Sequence, residues 1–424
     1  MRAAAPAPDP RGATPWLIVA LLATVLFLNY VDRGTVPTAA PLIQDELGLS
    51  TSQLGVLLSA FFWSYALLQI PVGWLAERIG AQRVLACGLT LWACATMLVG
   101  FAHTFTTLLL LRVLLGIGES AGFPCVSKLL ATVVPAHRLG GANGVVAFAY
   151  LFGPAVGTAL GGLIMAHYGW RAAFWVFGGL SLLWLLPWLR VRLPQAAPQA
   201  HHFGMPAFRE VLRQRSLWGT SLGHFSGNYT FYFMLTWLPF YLVRERGFST
   251  QEMALLAGKA FLTNALAALI AGWAIDRCIV RSGSANLPYK ISMGVAHVGS
   301  VACMLCMALG SAAWALAAIF VFQVLSGMSS PGTFAIPQIL AGPKAAARWV
   351  GVQNAIANLA GVVAPALTGV LVEVTHHFTS AFIIGALVST LGLIGWVWIV
   401  PTVAPVPWRG APTPAMLEAA PSPS

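Results

Sequence analysis

Apolar residues in this chain come in long unbroken runs separated by short polar loops. Twelve runs approach the ~20 residues that a helix needs to cross a bilayer. They cover residues 16–40, 52–75, 83–101, 105–127, 140–166, 171–189, 217–242, 252–275, 288–309, 312–335, 349–373 and 379–401. None shows the alternating pattern of a membrane β-barrel strand. The sixth and seventh runs flank the one long polar stretch, 190–216, which carries Arg190, Arg192, Arg209, Arg213 and Arg215. The pattern predicts an all-α membrane protein with twelve transmembrane helices. They group into two six-helix bundles, 16–189 and 217–402, joined by a cytoplasmic linker at 190–216. The Ala/Pro-rich stretches 1–15 and 403–424 are expected to be disordered cytoplasmic tails. The run from Trp16 to Tyr30 continues into Asp32-Arg33 with no small-residue cleavage site, so it reads as a retained helix.

Composition agrees with this pattern. Hydrophobic residues make up 58% of the 424 and charged residues only 8%, against about 25% in a soluble domain. Mean hydropathy is +0.78. Soluble enzymes, disordered chains and secreted disulfide scaffolds are excluded. The net charge of +11 is not a nucleic-acid signature, because the basic residues stand singly or in pairs in short loops. With the N-terminus inside, seventeen basic residues fall in inside segments and only Arg171, Arg244 and Arg246 in outside ones. That asymmetry places both termini in the cytoplasm and requires an even number of spans. Of the six cysteines, Cys303 and Cys306 have CxxC spacing. No second pair accompanies them, so they read as small packing residues rather than a metal site.

The two halves echo each other. Gly73–Arg83 reads GWLAERIGAQR and Gly272–Arg281 reads GWAIDRCIVR, each following the second span of its half. Pro154-Ala155 and Pro365-Ala366 form a second matched pair. Internal repeats of this kind suit a carrier with its site at the interface of two bundles, near the membrane midplane. The loop built on Gly73, Glu77, Arg78, Gly80 and Arg83, with its partner at Gly272, Asp276 and Arg277, resembles the signature loop of the major facilitator superfamily. Glu77 stands where that family usually has Asp. The resemblance covers nearly all of residues 16–402. Finer segments resemble the family's anion:cation symporter branch, which includes bacterial sugar-acid carriers. They are NYVDRGTVPTAAP from Asn29, SAFFWSYALLQIPVGW from Ser59, RVLLGIGESAGFP from Arg112, FMLTWLPFYL from Phe233 and RWVGVQNAIANLAGVVAPALTG from Arg348.

Ionisable groups inside a membrane are costly and mark pathways. Here they are Asp32, Arg33, Arg112, Glu119 and Lys259, with His224 a weaker member. A guanidinium matches a carboxylate bidentately and stays charged at every relevant pH. The resemblance makes Arg33 the residue that grips a substrate carboxylate, and Asp32 and Glu119 the proton-coupling sites. A purely structural ion pair is the alternative for each. Arg112, seven residues before Glu119, is a candidate modulator or vestibule cation. Lys259 departs from the branch pattern and reads either as a snorkelling side chain or as a second cation for a dianionic substrate.

The resemblance also places Tyr65 and Gln69 in the cavity, one helical turn apart. Asn228, Tyr229, Tyr232, Asn354 and Asn358 are hydrogen-bonding candidates, and Tyr150 is an aromatic one. Phe148-Ala149-Tyr150 replaces a polar position of sugar-acid carriers and makes the pocket more aromatic. No Walker loop, metal-ligand spacing or nucleophile elbow occurs, so enzymatic and ATP-driven chemistry have no support. The expected activity is proton-coupled uptake of an organic anion by alternating access. The protein would be a multi-pass monomer in the inner membrane, with protons as coupling ion and no metal or other cofactor. The alternative is a proton-driven efflux antiporter, suggested by the segment Phe152–Gly157, FGPAVG.

Overall fold

The computed structural model describes residues 15–134, 139–191 and 207–408. Among them the chain is helical throughout, with no strand. The first half contains α1 (Pro15–Leu47), α2 (Thr51–Ile79), α3 (Ala81–Val99), α4 (Phe105–Glu119), α5 (Gly122–Val133), α6 (Leu139–Tyr168) and α7 (Trp170–Arg190). A short helix, α8 (Phe208–Leu212), precedes the second half. That half contains α9 (Arg215–Arg244), α10 (Thr250–Ser282), α11 (Asn286–Leu309), α12 (Ala312–Thr375), α13 (Thr379–Leu393) and a π-helical turn, Ile394–Ile399.

Among the described residues, eleven helical segments are long and apolar enough to cross a membrane. The predicted seventh span corresponds to α9, 30 residues long. It is not among the eleven because Ser, Thr, Gly, Tyr, Asn and His interrupt its apolar run. Its length still suffices, at about 1.5 Å per residue. Burial explains the composition: Ser221, His224, Ser226, Thr230 and Thr236 are all buried, so α9 faces neighbouring helices rather than lipid.

Two helices differ from the expected pattern. The fourth span is broken: α4 ends at Glu119 and α5 starts at Gly122. The tenth and eleventh spans join as limbs Ala312–Gly342 and Arg348–Thr375 of α12, parted where Gly342 takes φ 65°. That left-handed conformation is one that glycine adopts without a Cβ clash.

Residues 403–408, expected to belong to a disordered tail, are packed against the second half. Val403 is buried. The Val406 amide donates to the Leu340 carbonyl at 2.8 Å and Trp408 Nε1 to the Ala341 carbonyl at 2.9 Å. These bonds satisfy carbonyls near the Gly342 break. Expectations for 1–14, the 192–206 part of the linker and 409–424 lie outside the described residues.

Within the first half α1 packs on α6, α2 on α4 and α3 on α7. In the second half α12 packs on α9, α10 and α11. The halves meet where α2 packs on α12, α6 on α10 and α1 on α9. At the outer end this seam is close. A Cβ on Gly55 would lie 2.7 Å from the Pro365 carbonyl oxygen, and one on Gly369 would lie 2.7 Å from the Thr51 carbonyl oxygen. Arg244 forms an ion pair with Asp45 and donates to the Pro41 carbonyl at 3.1 Å. The Ser52 amide donates to Glu373 Oε2 at 2.6 Å. The outer end of the seam is therefore closed.

Gly55→Val should open this closure. Overpacking a tight contact costs about 1–3 kcal/mol, which shifts a two-state balance about 5- to 150-fold. In a background without native cysteines, a cysteine at Thr51 should react faster with an impermeant maleimide added outside. Unchanged labelling would contradict the role given to this contact.

Candidate functional site

Asp32 and Arg33 are neighbours on α1, so their side chains leave the helix about 100° apart. Asp32 turns to α3, where Thr96 Oγ1 donates to Asp32 Oδ2 at 3.2 Å. Arg33 turns to α4, where its Nε donates to Glu119 Oε2 at 3.0 Å. Glu119 is the last residue of α4, so the helix breaks immediately after the acid. All three groups are shut off from water, with exposures of 2% for Asp32, 5% for Arg33 and 1% for Glu119.

Three rings enclose the Arg33 guanidinium. Its Cζ lies 4.5 Å from the Tyr30 ring centroid, 4.7 Å from Phe61 and 4.4 Å from Tyr65. Rings this close stabilise the cation through their electron-rich faces and exclude water. They supply no acceptor for its outer nitrogens. Arg33 Nη1 and Nη2, Glu119 Oε1 and Asp32 Oδ1 are buried without a hydrogen-bond partner of normal geometry. Most buried polar atoms have such partners. The outer edge of the guanidinium thus lacks a charged acceptor, with the Tyr232 hydroxyl of α9 as the neutral group beside it.

Close helix packing makes the pair possible. A Cβ on Gly116 would run into the Phe61 carbonyl oxygen, and one on Gly118 would lie 2.7 Å from the Gly88 carbonyl oxygen. On α6, a Cβ at Gly153 would lie 2.5 Å from Tyr30 Cβ, and one at Gly157 would meet the Val31 carbonyl oxygen. The FGPAVG segment is therefore explained by the seating of α6 against α1 beside the charged residues.

Arg112 is 5% exposed in this structure, whose outer end is closed. Its Nε and Nη2 donate to the Leu57 and Leu58 carbonyls of α2, both at 3.4 Å. Its Cζ lies 5.3 Å from the Phe61 ring that also faces Arg33. Phe61 thus contacts two cations.

The second half contributes a neutral polar chain. Asn354 Nδ2 on α12 donates to Gln69 Oε1 on α2 at 3.1 Å, crossing the seam. Asn358 Nδ2 donates to the Asn354 carbonyl at 3.0 Å, and the Tyr232 hydroxyl donates to Asn358 Oδ1 at 3.3 Å. The Tyr232 ring packs on Phe62 with centroids 4.5 Å apart. Asn228 Nδ2 donates to the Ala357 carbonyl at 3.3 Å, which ties α9 to α12. Tyr150 reaches the site through Tyr30, with ring centroids 5.1 Å apart. His224 pairs with Gln353, 3.1 Å from Nδ1 to Nε2, and is separate from the carboxylates.

Lys259 does not join the cluster. It is exposed on the outer half of α10, a position that suits a snorkelling side chain. In the repeated loops, Arg78 stacks over Trp74 and Arg277 over Trp273, both at 4.0 Å. Arg83 and Asp276 are exposed. Gly80 takes φ 96° where α2 turns into α3, while Gly73 and Gly272 pass close to Pro124 and Pro331. The Glu77 side chain lies outside the described residues. Sequence reasoning missed Tyr30, Phe61, Phe62 and Thr96. Tyr30 lies three residues before Arg33 and Phe61 four before Tyr65, the spacings of one helical face. That spacing was the available signal for both.

The Major Facilitator Superfamily profile matches residues 22–365. The chain belongs to that superfamily. It is 29% identical over 410 residues to the probable sulfoacetate transporter SauU of Cupriavidus necator, covering 92% of this chain and 94% of that protein. It is 27% identical over 399 residues to the probable L-galactonate transporter of Escherichia coli, covering 90% and 88%. In fold it is similar to the crystal structure of a bacterial homolog of the human lysosomal transporter Spinster, inward-facing and unoccupied. The TM-score is 0.73 with 18% identity, covering 93% of this chain and 97% of that one. Superfamily membership makes this chain a multi-pass membrane transporter rather than an enzyme.

Removing one partner of a buried ion pair strands the other at about 3–5 kcal/mol. Arg33→Met should therefore lower the melting temperature of the purified protein markedly. Adding Glu119→Gln to Arg33→Met should recover much of the loss. Additive losses in the double variant would contradict a direct pair.

Proposed function

We propose that the protein imports an organic anion together with protons by alternating access. Arg33 anchors a carboxylate or sulfonate, and Glu119 and Asp32 carry the protons. The supporting observation is the Arg33–Glu119 pair, bonded through Nε, while Nη1 and Nη2 make no hydrogen bond of normal geometry and have the neutral Tyr232 hydroxyl beside them. A planar anion accepts two parallel hydrogen bonds from the edge of a guanidinium. The polar chain of Gln69, Asn354, Asn358 and Tyr232 offers donors and acceptors to the rest of the substrate. The relatives named for sulfoacetate and L-galactonate transport support an anionic cargo. The reading places the chain in the inner membrane as a multi-pass monomer.

The cycle follows from the charges. With the site facing outward, protons neutralise Glu119 and Asp32. Glu119 then releases Arg33, which takes the substrate anion. The loaded site carries less net charge and closes. Inside, the protons leave, and the restored Glu119 carboxylate competes with the substrate for Arg33 and helps expel it. Moving one negative charge inward against an inside-negative potential costs about 2.3 kcal/mol per 100 mV. Each accompanying proton cancels one such charge. Efflux of lipophilic cations finds no support in a site whose anchor is itself a cation.

The first test is thermal stabilisation of purified protein by sulfoacetate, galactonate, glucarate, benzoate and tetraphenylphosphonium, at about pH 5.5 and about pH 7.5. An anion hit that strengthens at the lower pH and vanishes in Arg33→Gln is expected. Stabilisation by the cation alone, indifferent to Arg33, would overturn the reading. In proteoliposomes, uptake of the hit should rise as the outside is acidified and fall as the inside is acidified. Arg33→Gln should reduce it at least about 30-fold, the usual scale for deleting one member of a buried charge pair. Arg33→Lys should not restore it, because an ammonium lacks the two-nitrogen edge.

A further inference from the structure

A second recognition surface lies on the outside of the second bundle. α10, α11 and the first limb of α12 enclose a groove of about 890 Å³. One wall is the α10 stripe from Thr263 through Ala267, Ile270, Ala274 and Cys278 to Arg281. These residues follow i, i+3 and i+4 steps, so they form one line along the helix. Leu287 and Ile291 on α11 and Val324 on α12 form the opposite side. Ile270 is 65% exposed, Leu287 61% and Ile291 54%, so the groove opens outward rather than into the bundle. The Ser292 hydroxyl, also on its wall, donates to the Met328 carbonyl at 3.0 Å and leaves the wall apolar in effect.

Among the described residues Arg281 is the one charged member of the lining, and it lies at the last turn of α10. That end is cytoplasmic by the distribution of basic residues. Arg277, one turn earlier, stacks over Trp273 at 4.0 Å. Trp and Arg together mark a membrane–water boundary. From Thr263 to Ser282 the stripe runs roughly 28 Å. The middle of α10 lies near residue 266, so the groove occupies the cytoplasmic half of the helix. An apolar trough that ends in a basic side chain at the headgroup level has the polarity of one phospholipid. Asp276 sits on α10 outside the lining.

We propose that this groove binds an acidic glycerophospholipid of the cytoplasmic leaflet. One acyl chain lies along Ile270, Ala274 and Ile291, and the phosphate pairs with Arg281. The proposal is independent of what the central site transports.

Cys278 provides the reporter, since it lines the groove and is exposed. The other five cysteines are replaced by serine, a fluorophore is attached at Cys278, and the protein is reconstituted in phosphatidylcholine vesicles. Nitroxide-chain phosphatidylglycerol or nitroxide-chain phosphatidylcholine is then titrated in. Phosphatidylglycerol is expected to quench at an about five-fold lower mole fraction, the scale of one basic side chain at an anionic headgroup. Arg281→Gln should abolish that preference while both lipids still quench. Equal quenching by the two lipids before substitution would overturn the proposal. Protection from both lipids would overturn it too, by showing that a protein surface covers the groove. As a control on the occupied site, Ile270→Trp should weaken quenching by both lipids, and unaffected quenching would place the chain elsewhere.

Discussion

A guanidinium and a carboxylate held 3.0 Å apart inside a transmembrane bundle cannot be explained by stability alone. Taking two charges out of water costs several kcal/mol per ion, and apolar residues of similar volume often serve a fold better. The surroundings of Arg33 sharpen the point. Three aromatic rings shield the cation but leave two of its nitrogens without a hydrogen bond of normal geometry. The glycines of α4 and α6 bring helix backbones into contact around it. Much of the first bundle is arranged to keep this positive charge buried and partly unsatisfied, with Arg112 buried beside it. Such a charge is poised to exchange one anion for another.

The two bundles divide the work. Every ionisable group of the central cluster comes from the first, on α1 and α4, with Arg112 fastened to α2 beside it. The second bundle offers neutral amides and a phenol, linked from Tyr232 through Asn358 and Asn354 to Gln69 across the seam. A bond of this kind spans the surfaces that must separate in alternating access, and neutral groups exchange partners at lower cost than charged ones. The tight outer seam at Gly55 and Gly369, with the Arg244–Asp45 pair, closes one end while that chain joins the halves. Fixed charge on one side and adaptable hydrogen bonding on the other suit a carrier that grips an anionic head and tolerates variation in its tail.

Much of this architecture was legible in the sequence because a membrane leaves few choices. Apolar run length fixes the spans, loop charge fixes their direction, and the cost of intramembrane charge points to Asp32, Arg33 and Glu119. Legibility ended where neighbouring helices decide. Lys259 carries the same type of charge as Arg33, yet only packing reveals that it leaves the bundle. Arg112 reads as a pathway cation until its hydrogen bonds to two α2 carbonyls are seen. Tyr30 and Phe61 are ordinary aromatic residues of apolar helices until they are found against Arg33. The polar character of α9, which lowers its resemblance to a span, reflects its buried position. At the C-terminus, composition suggested disorder for residues that in fact cap the broken end of α12.

The central claim is that Glu119 and the substrate anion compete for one guanidinium, with a proton deciding between them. Calorimetry of anion binding in buffers of different ionisation enthalpy counts the protons taken up per anion bound. The account predicts net uptake near neutral pH, reduced by about one proton in Glu119→Gln, whose neutral amide has already released Arg33. Proton uptake identical in the two proteins would contradict it, because the anion would then reach its site without displacing that carboxylate.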